Sequence, residues 1–352
     1  MFMHRRYFFQ KDQHSKLACM IVPSFGINGD DRSQVKIGYD WRKFSQGIAI
    51  LLLITIHFSL AFVLNGCDST EQMFTQSPKH IETSAPSAVF PFEVTDSNGD
   101  TIVFEEAPRR IVAIDSAVVE ILFSIGEGSR LIGTHDFVSY PPEVKDLTRV
   151  GGAFNLNKEA ILELDPDLVY VFSEGSVADL QQLGLKVLYI KTLNTDFRQV
   201  SDNIRLWGSI LGKRQVAEEI ASTFDSKVFE IEEVMNSQGD GPTVFQDEGE
   251  LWSPGPDTLI GSVFELLKLQ NIAHDVSGYK QISAEVIIAR GPEIIIASYN
   301  DNISDDPFFA ELPAVKNGRV FVQESDLLSV PGPRYADGIK DLAKWIYPDL
   351  FP

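Results

Sequence analysis

From Phe90 onward, short apolar runs bounded by Gly, Pro, Asn or Asp alternate with stretches whose apolar residues recur three and four apart. The first pattern predicts buried strands, the second helices with one face turned to a core. Residues 90–104 predict a hairpin, because Asn98-Gly99 lies between two β-prone segments and supplies the positive φ of a tight turn. Residues 110–114 predict a buried strand, 117–125 a helix that stops at Gly126, and 131–133 a short apolar strand. The loop His135-Asp-Phe-Val-Ser-Tyr-Pro-Pro142 and the pair Gly151-Gly152 follow. Strands over 168–172 and 186–190 flank a helix over 177–183. This β-α-β alternation argues for a parallel sheet with helices on its faces.

Between residues 196 and 236 there is no Pro and only two Gly, Gly208 and Gly212, and Val200, Ile204, Trp207, Ile210 and Leu211 keep helical spacing. This stretch predicts a rigid connector: one long helix, or two meeting near Gly212. The alternation then resumes, with strands over 243–246, 293–298 and 319–322, a loop over 247–257, and helices over 259–269 and 335–346.

One eleven-residue segment occurs twice. Glu159-Ala-Ile-Leu-Glu-Leu-Asp-Pro166-Asp-Leu-Val169 reappears as Glu285-Val-Ile-Ile-Ala-Arg-Gly-Pro292-Glu-Ile-Ile295. Each copy predicts a short helix ending before Pro and feeding a buried strand. Two copies imply two similar α/β halves, with a ligand cleft between them. Asn157 and Ser283 are suitable N-caps, so either Glu alone could simply be a favourable first-turn residue. The shared spacing adds a second reading, a symmetric pair of exposed charges suited to docking on paired Arg.

The rest of the chain sets the compartment. Its 352 residues suffice for two domains, and 44% hydrophobic against 23% charged content predicts a folded protein. Residues 47–66 are apolar without Asp, Glu, Lys or Arg; Arg42 and Lys43 precede them and Cys67 follows. A basic flank, an apolar core and a cut site describe a secretory signal, and a cysteine at that place resembles a lipobox with Cys67 lipidated. An uncleaved membrane anchor is the alternative. Either way the bulk of the chain is expected outside the cytoplasm, in a periplasm or on the outer face of the cell membrane. Residues 1–46 are too long for a signal n-region and read as an extension from a start assigned too early, with a real N-terminal cytoplasmic tail as the alternative. Residues 67–89, rich in Ser, Thr and Pro, read as a flexible tether. No cysteine follows Cys67, so the domain has no disulfide.

The formal net charge is −20; eight Lys/Arg and four Asp/Glu fall in residues 1–67, leaving 22 against 46 in the remainder. That field repels nucleic acid and complements a basic partner surface.

Candidate binding residues lie in the loops after the predicted strands, where open α/β sheets hold ligands. These loops carry Phe137, Tyr140, Phe154, Trp252, Tyr299 and Tyr335, together with His135, Gln246 and Arg334. Individually such aromatics could cap a core; together they suit a large, planar or greasy ligand. Past residue 67 only His80, His135 and His274 remain, none at metal-ligand spacing, although His135 or a nearby Tyr could serve as axial ligand to a metal inside a chelate. No dinucleotide loop, P-loop, GxSxG or HExxH is present, and no catalytic residue is assigned.

The stretch Arg109-Arg-Ile-Val-Ala-Ile…Ser-Ala-Val-Val-Glu-Ile-Leu-Phe-Ser-Ile-Gly126 resembles the opening of the extracytoplasmic solute-binding proteins of ABC importers for iron complexes and vitamin B12. Tyr140-Pro-Pro, Gly151-Gly152, both Glu-to-Pro segments and Gly332-Pro-Arg-Tyr-Ala-Asp-Gly-Ile339 extend the resemblance across residues 90–352. It implies two Rossmann-like lobes with mainly parallel sheets joined by one long α-helix, the class III binding-protein architecture. The expected lobes are 90–195 and 237–352, with the linker over 196–236. It also implies a ligand between the lobes and a Glu on each lobe, here Glu159 and Glu285, that meets Arg of a permease served by an ATPase. The protein is then expected to be a monomer with no cofactor of its own, carrying a corrinoid, ferric siderophore or haem. The aromatic loops and Tyr140-Pro-Pro resemble the corrinoid-type members slightly more. Two rival expectations stand beside this one: a tetrapyrrole-metal chelatase built on the same cleft, and a membrane-anchored sensing or adhesion module.

Overall fold

A computed structural model describes residues 90–192, 196–297, 303–323 and 325–352. The expected N-terminal extension, apolar run and tether, with Cys67, lie outside these residues, as does Tyr299.

Two parallel sheets organise the domain. In the N-terminal lobe, Thr148–Arg149, Leu131–Thr134, Ile111–Ile114, Leu168–Val171 and Val187–Tyr189 lie side by side in that order. Numbered along the lobe this is 3-2-1-4-5, the Rossmann winding, which reverses between the first and fourth strands. In the C-terminal lobe the parallel order is Gln270–Asn271, Thr243–Asp247, Ile294–Ala297, Val320–Val322. This is the same winding with one edge strand fewer. Ile111–Ile114, Leu168–Val171 and Ile294–Ala297 are buried along their whole length, as strands covered on both faces must be. Ahead of the sheets, Phe92–Thr95 pairs with Thr101–Phe104 around Gly99 at φ +87°, the hairpin that Asn98-Gly99 predicts.

The repeated segment has a physical basis in both lobes. The Asn157 side chain accepts the Ala160 N–H, and the Ser283 hydroxyl accepts the Val286 N–H, starting the helices Lys158–Glu163 and Ala284–Arg290. Just before each Pro the backbone turns left-handed, at Asp165 (φ +46°) and Gly291 (φ +52°). The acid after each Pro then anchors the adjoining central strand. Asp167 accepts the N–H groups of Arg109 (2.6 Å) and Arg110 (3.0 Å), and Glu293 accepts that of Thr243 (2.9 Å).

Residues 196–236 form two helices, Val200–Ile210 and the long Arg214–Met235, after a 3₁₀ turn at Phe197–Gln199. The break falls at Gly212, whose φ of +69° an L side chain would strain. The helices pack closely, since a Cβ on Gly208 would lie 2.2 Å from the Ala217 Cβ, and Arg205 reaches across to Glu218 (2.9 Å) and Asp225 (2.8 Å). One apolar core runs from Ile111 and Leu122 through Trp207, Phe224 and Ile231 of the linker to Val244, Ile294 and Leu342. Smaller outer cores, around Ile161 in one lobe and Ile287 in the other, complete each sheet. A core shared through helices ties the lobes firmly and leaves their outer faces free to carry loops.

Among the described residues no helix is long and apolar enough to cross a membrane.

Candidate functional site

In a parallel sheet the strand order reverses at one point, and the carboxyl ends flanking it open a crevice. Here those ends belong to Ile111–Ile114 and Leu168–Val171, and the residues that follow them are Asp115 and Phe172. His135 follows Leu131–Thr134, and Thr192 lies just beyond Val187–Tyr189. With Ser116 these residues form the N-terminal wall of a cavity of about 250 Å³. Leu259, Tyr279, Ser329, Val330 and Pro331 of the C-terminal lobe form the opposite wall.

The floor is polar and held in place. Asp115 is the N-cap of the helix Ser116–Ser124; its carboxylate accepts the Ala117 N–H (2.8 Å) and the Thr192 hydroxyl (3.0 Å). Burial pushes the Asp115 carboxyl up to about 6, against the opposing pull of those hydrogen bonds. His135 is also buried, and burial, followed by the Arg149 charge, lowers its pKa, so the ring is neutral at pH 7. Its Nδ1 accepts the Phe137 N–H (3.3 Å), which leaves the proton on Nε2, 3.2 Å from Ser116 Oγ. In this arrangement neither ring nitrogen is free to ligate a metal, so the geometry does not support His135 as an axial ligand.

Around the floor stands an aromatic rim. Phe137 and Phe154 are 77% and 75% exposed, and Trp252 and Tyr279 are 45% and 42% exposed. Phe154 meets the lining residue Phe172 edge-on at 5.4 Å, and Phe137 lies 6.3 Å from the His135 ring. On the other lobe Trp252 and Tyr279 sit on the paired strands Trp252–Pro254 and Tyr279–Gln281. Partial burial, and then Glu248 nearby, push the Tyr279 phenol up to about 12, so it stays a neutral hydroxyl. Large exposed aromatics grouped at the mouth of a crevice are the usual mark of an apolar, flat-faced ligand.

Beside the cleft the lobes are tied by charge. Arg334, at the start of the terminal helix, donates from Nε (2.8 Å) and Nη2 (3.1 Å) to Glu120 in the helix Ser116–Ser124, and its backbone N–H joins the same carboxylate at 3.2 Å. Asp326 takes a further bond at 3.2 Å, and the guanidinium lies 3.5 Å over the Tyr140 ring. Glu120 is only 2% exposed; burial raises its carboxyl, and Arg334 opposes that rise. Gly332 makes the approach possible, because a Cβ there would sit 2.8 Å from the carboxylate.

The structure thus divides the residues expected from sequence. His135 lines the cavity, Phe137 and Phe154 stand against its lining residues His135 and Phe172, and Trp252 is half-exposed on the strand paired with that of Tyr279. Tyr140 and Arg334 belong to the tie between the lobes. Gln246 is buried at the carboxyl end of its strand, with its amide bonded to Glu248. Tyr335 requires correction: as the first residue of the terminal helix it turns its ring inward, fully buried in the shared core. Asp115, Ser116, Phe172, Thr192, Leu259, Tyr279 and Ser329 to Pro331 are lining residues that sequence reasoning passed over. For Asp115 and Phe172 a signal existed, since Asp115 directly follows a predicted strand and Phe172 ends one. Glu159 and Glu285 are both exposed, one on each lobe. Among the described residues no group of three or more His, Cys, Asp or Glu side chains is placed to hold a metal ion.

A doubly wound pair of lobes around a crevice is the design of a two-lobed solute receptor. The periplasmic binding protein family matches residues 111–327, and the chain belongs to that family, the extracytoplasmic substrate-binding proteins of ABC transporters. The chain is 26% identical to an uncharacterized ABC transporter substrate-binding lipoprotein, YvrC, of Bacillus subtilis, over 83% of this chain and 95% of the relative. Its fold is similar to the crystal structure of the periplasmic vitamin B12-binding protein BtuF of Vibrio cholerae, with TM-score 0.61 and 25% identity over 68% of this chain and 96% of that one. It is also similar to a possible iron-binding (periplasmic solute-binding) protein from Staphylococcus epidermidis, with TM-score 0.59 and 28% identity over 69% of this chain and 100% of that one.

Proposed function

We propose that this protein is a lipid-anchored receptor that captures a metal-chelate ligand and delivers it to the permease and ATPase of an ABC importer. The ligand is a corrinoid in the first instance, with ferric siderophores and haem as the other members of the class. The observation that carries this reading is the aromatic cleft at the carboxyl ends of the N-lobe strands, facing a second wall from the other lobe. The cavity of about 250 Å³ takes one edge of a macrocycle, and the exposed Phe137, Phe154 and Trp252 cover its faces. The vitamin B12-binding relative with the same fold supports the choice of ligand class.

Delivery rests on Glu159 and Glu285. Both are exposed first-turn residues at equivalent places on the two lobes. The Glu285 carboxyl is held below its ordinary value by its own backbone N–H and the Ser283 hydroxyl, so it is charged at any pH where the protein works. Paired carboxylates on an acidic domain complement paired Arg on a permease. Cys67, after the apolar run, is the lipidation site, a reading supported by the relative named as a lipoprotein. The receptor acts as a monomer outside the cytoplasm.

The test is native mass spectrometry with visible absorbance on the full-length protein in detergent, against cyanocobalamin, ferrioxamine B and haemin. One ligand per chain is expected for at least one of them; binding of none removes the proposal. A Glu159→Ala/Glu285→Ala double variant should bind as before and lose uptake in cells. Full uptake by that variant would remove the docking assignment.

A further inference from the structure

The cavity is polar at its floor, yet among the described residues no Lys or Arg lines it. Two of the nearby cations are committed elsewhere. Arg149 donates to the carbonyls of His135 (2.8 Å) and Val144 (3.1 Å), and Arg334 is held by Glu120 and Asp326. Lys191 lines the adjoining cavity together with Asp196 and Asp202. The stretches 193–195, 298–302 and 324 contain no Lys or Arg in sequence. A helix N-terminus does point at the floor, and such an end would ordinarily attract an anion. Here Asp115 already fills that place, taking the Ala117 N–H with its own carboxylate. Its second oxygen accepts from Thr192, and both Asp115 and Thr192 line the cavity. Among the described residues no cation is paired with this carboxylate.

We infer that Asp115 is the cleft's selecting residue: it favours metal chelates that present amide or ammonium hydrogen-bond donors and rejects chelates that present carboxylates. The inference rests on the metal-chelate reading above and narrows it. A carboxylate has lone pairs left for a further donor, whereas a second carboxylate brought against it in a partly desolvated crevice is repelled. With its pKa near 6, Asp115 is charged at neutral pH and able to discriminate. Amide-rich corrinoids and cationic trihydroxamates therefore fit, and haem, with two carboxylates, does not.

The test compares matched probes on the full-length protein in detergent at pH 7.5 and 0.15 M salt, where long-range repulsion from the acidic surface is screened. One pair is dicyanocobinamide and dicyanocobyrinic acid, the same ring carrying amides or carboxylates. The other is ferrioxamine B, with a free ammonium, and its N-succinyl derivative, with a carboxylate. In whichever pair binds, the donor-bearing member should bind at least about tenfold tighter. That ratio should fall at least about threefold in Asp115→Asn, where an uncharged residue keeps the helix cap. Asp115→Ser, a second uncharged cap, should behave alike, and circular dichroism checks that both variants fold. Equal or tighter binding of the carboxylate member, or an unchanged ratio in both folded variants, overturns the inference while leaving the receptor reading intact. Binding of no member of either pair overturns the inference; the receptor reading falls with it only if haemin also fails to bind.

Discussion

The helix Ser116–Ser124 and its cap carry two buried acids that the protein treats differently. Glu120 faces the other lobe and meets Arg334 in a two-pronged bond, supported by Asp326 and by the Tyr140 ring. Asp115, at the N-terminal end of that helix, faces the cleft and, among the described residues, meets a hydroxyl and backbone N–H groups but no cation. One acid is neutralised and joins the lobes; the other keeps its charge where a ligand would lie. Burial alone therefore does not mark a functional acid. Its partner does, and here the partner is set by which lobe the side chain faces.

The largest expected effect comes from breaking the paired acid. Arg334→Met leaves Glu120 buried without its cation and should cost about 3–5 kcal/mol of stability, read as a fall in the urea midpoint. Glu120→Leu/Arg334→Met together should recover most of that loss. If the double variant is as unstable as the single one, the tie is not the source of the effect.

The unpaired acid should respond in the opposite sense. Asp115 titrates near 6 in the folded protein against an ordinary 3.8, so the folded state keeps a proton that the unfolded chain has lost. Its contribution thus makes stability fall as pH rises from about 4 to 6. Asp115→Asn should remove a penalty of about 2–3 kcal/mol at pH 7.5, seen as a raised Tm there and a flatter pH profile below 6. The groups around Asp115 are Thr192, Ser116, the neutral His135 and Tyr170, whose phenol burial raises well above its ordinary value. None of these titrates in that window in a way that would mimic the effect. A lower Tm at pH 7.5 would contradict the reading.

Smaller effects refine the tie. Gly332→Ala places a methyl 2.8 Å from the Glu120 carboxylate and should cost about 1–3 kcal/mol by forcing the pair apart. Tyr140→Leu removes only the ring beneath Arg334 and should cost about 0.5–1 kcal/mol. Thermal melts of both, with ligand affinity measured alongside, check that ordering.

Much of the fold was legible in the sequence because it is written locally. The Asn98-Gly99 turn, the strands at 110–114, 168–172 and 293–298, and the Glu-to-Pro repeat each depend on neighbours in the chain. The two-helix linker was left open, since Gly212 permits either a bend or a break. The site was less legible. Exposed Phe137 and Phe154 could be picked out as loop aromatics, and His135 lines the cavity. Tyr335 could not be told from them, because its ring points inward only once the terminal helix packs on the shared core. Arg334 looked like a ligand handle because its true partner, Glu120, is 214 residues away in sequence. Asp115 is a helix cap, a local role; its second role depends on the opposing wall of Leu259, Tyr279 and Pro331.

The most direct measurement is a crystal structure of the protein with dicyanocobinamide bound. The account predicts the macrocycle against Phe172 and Phe154, an amide nitrogen within hydrogen-bonding distance of an Asp115 oxygen, and the Glu120–Arg334 pair unbroken. A ligand seated elsewhere, or bound with Asp115 untouched, would contradict it.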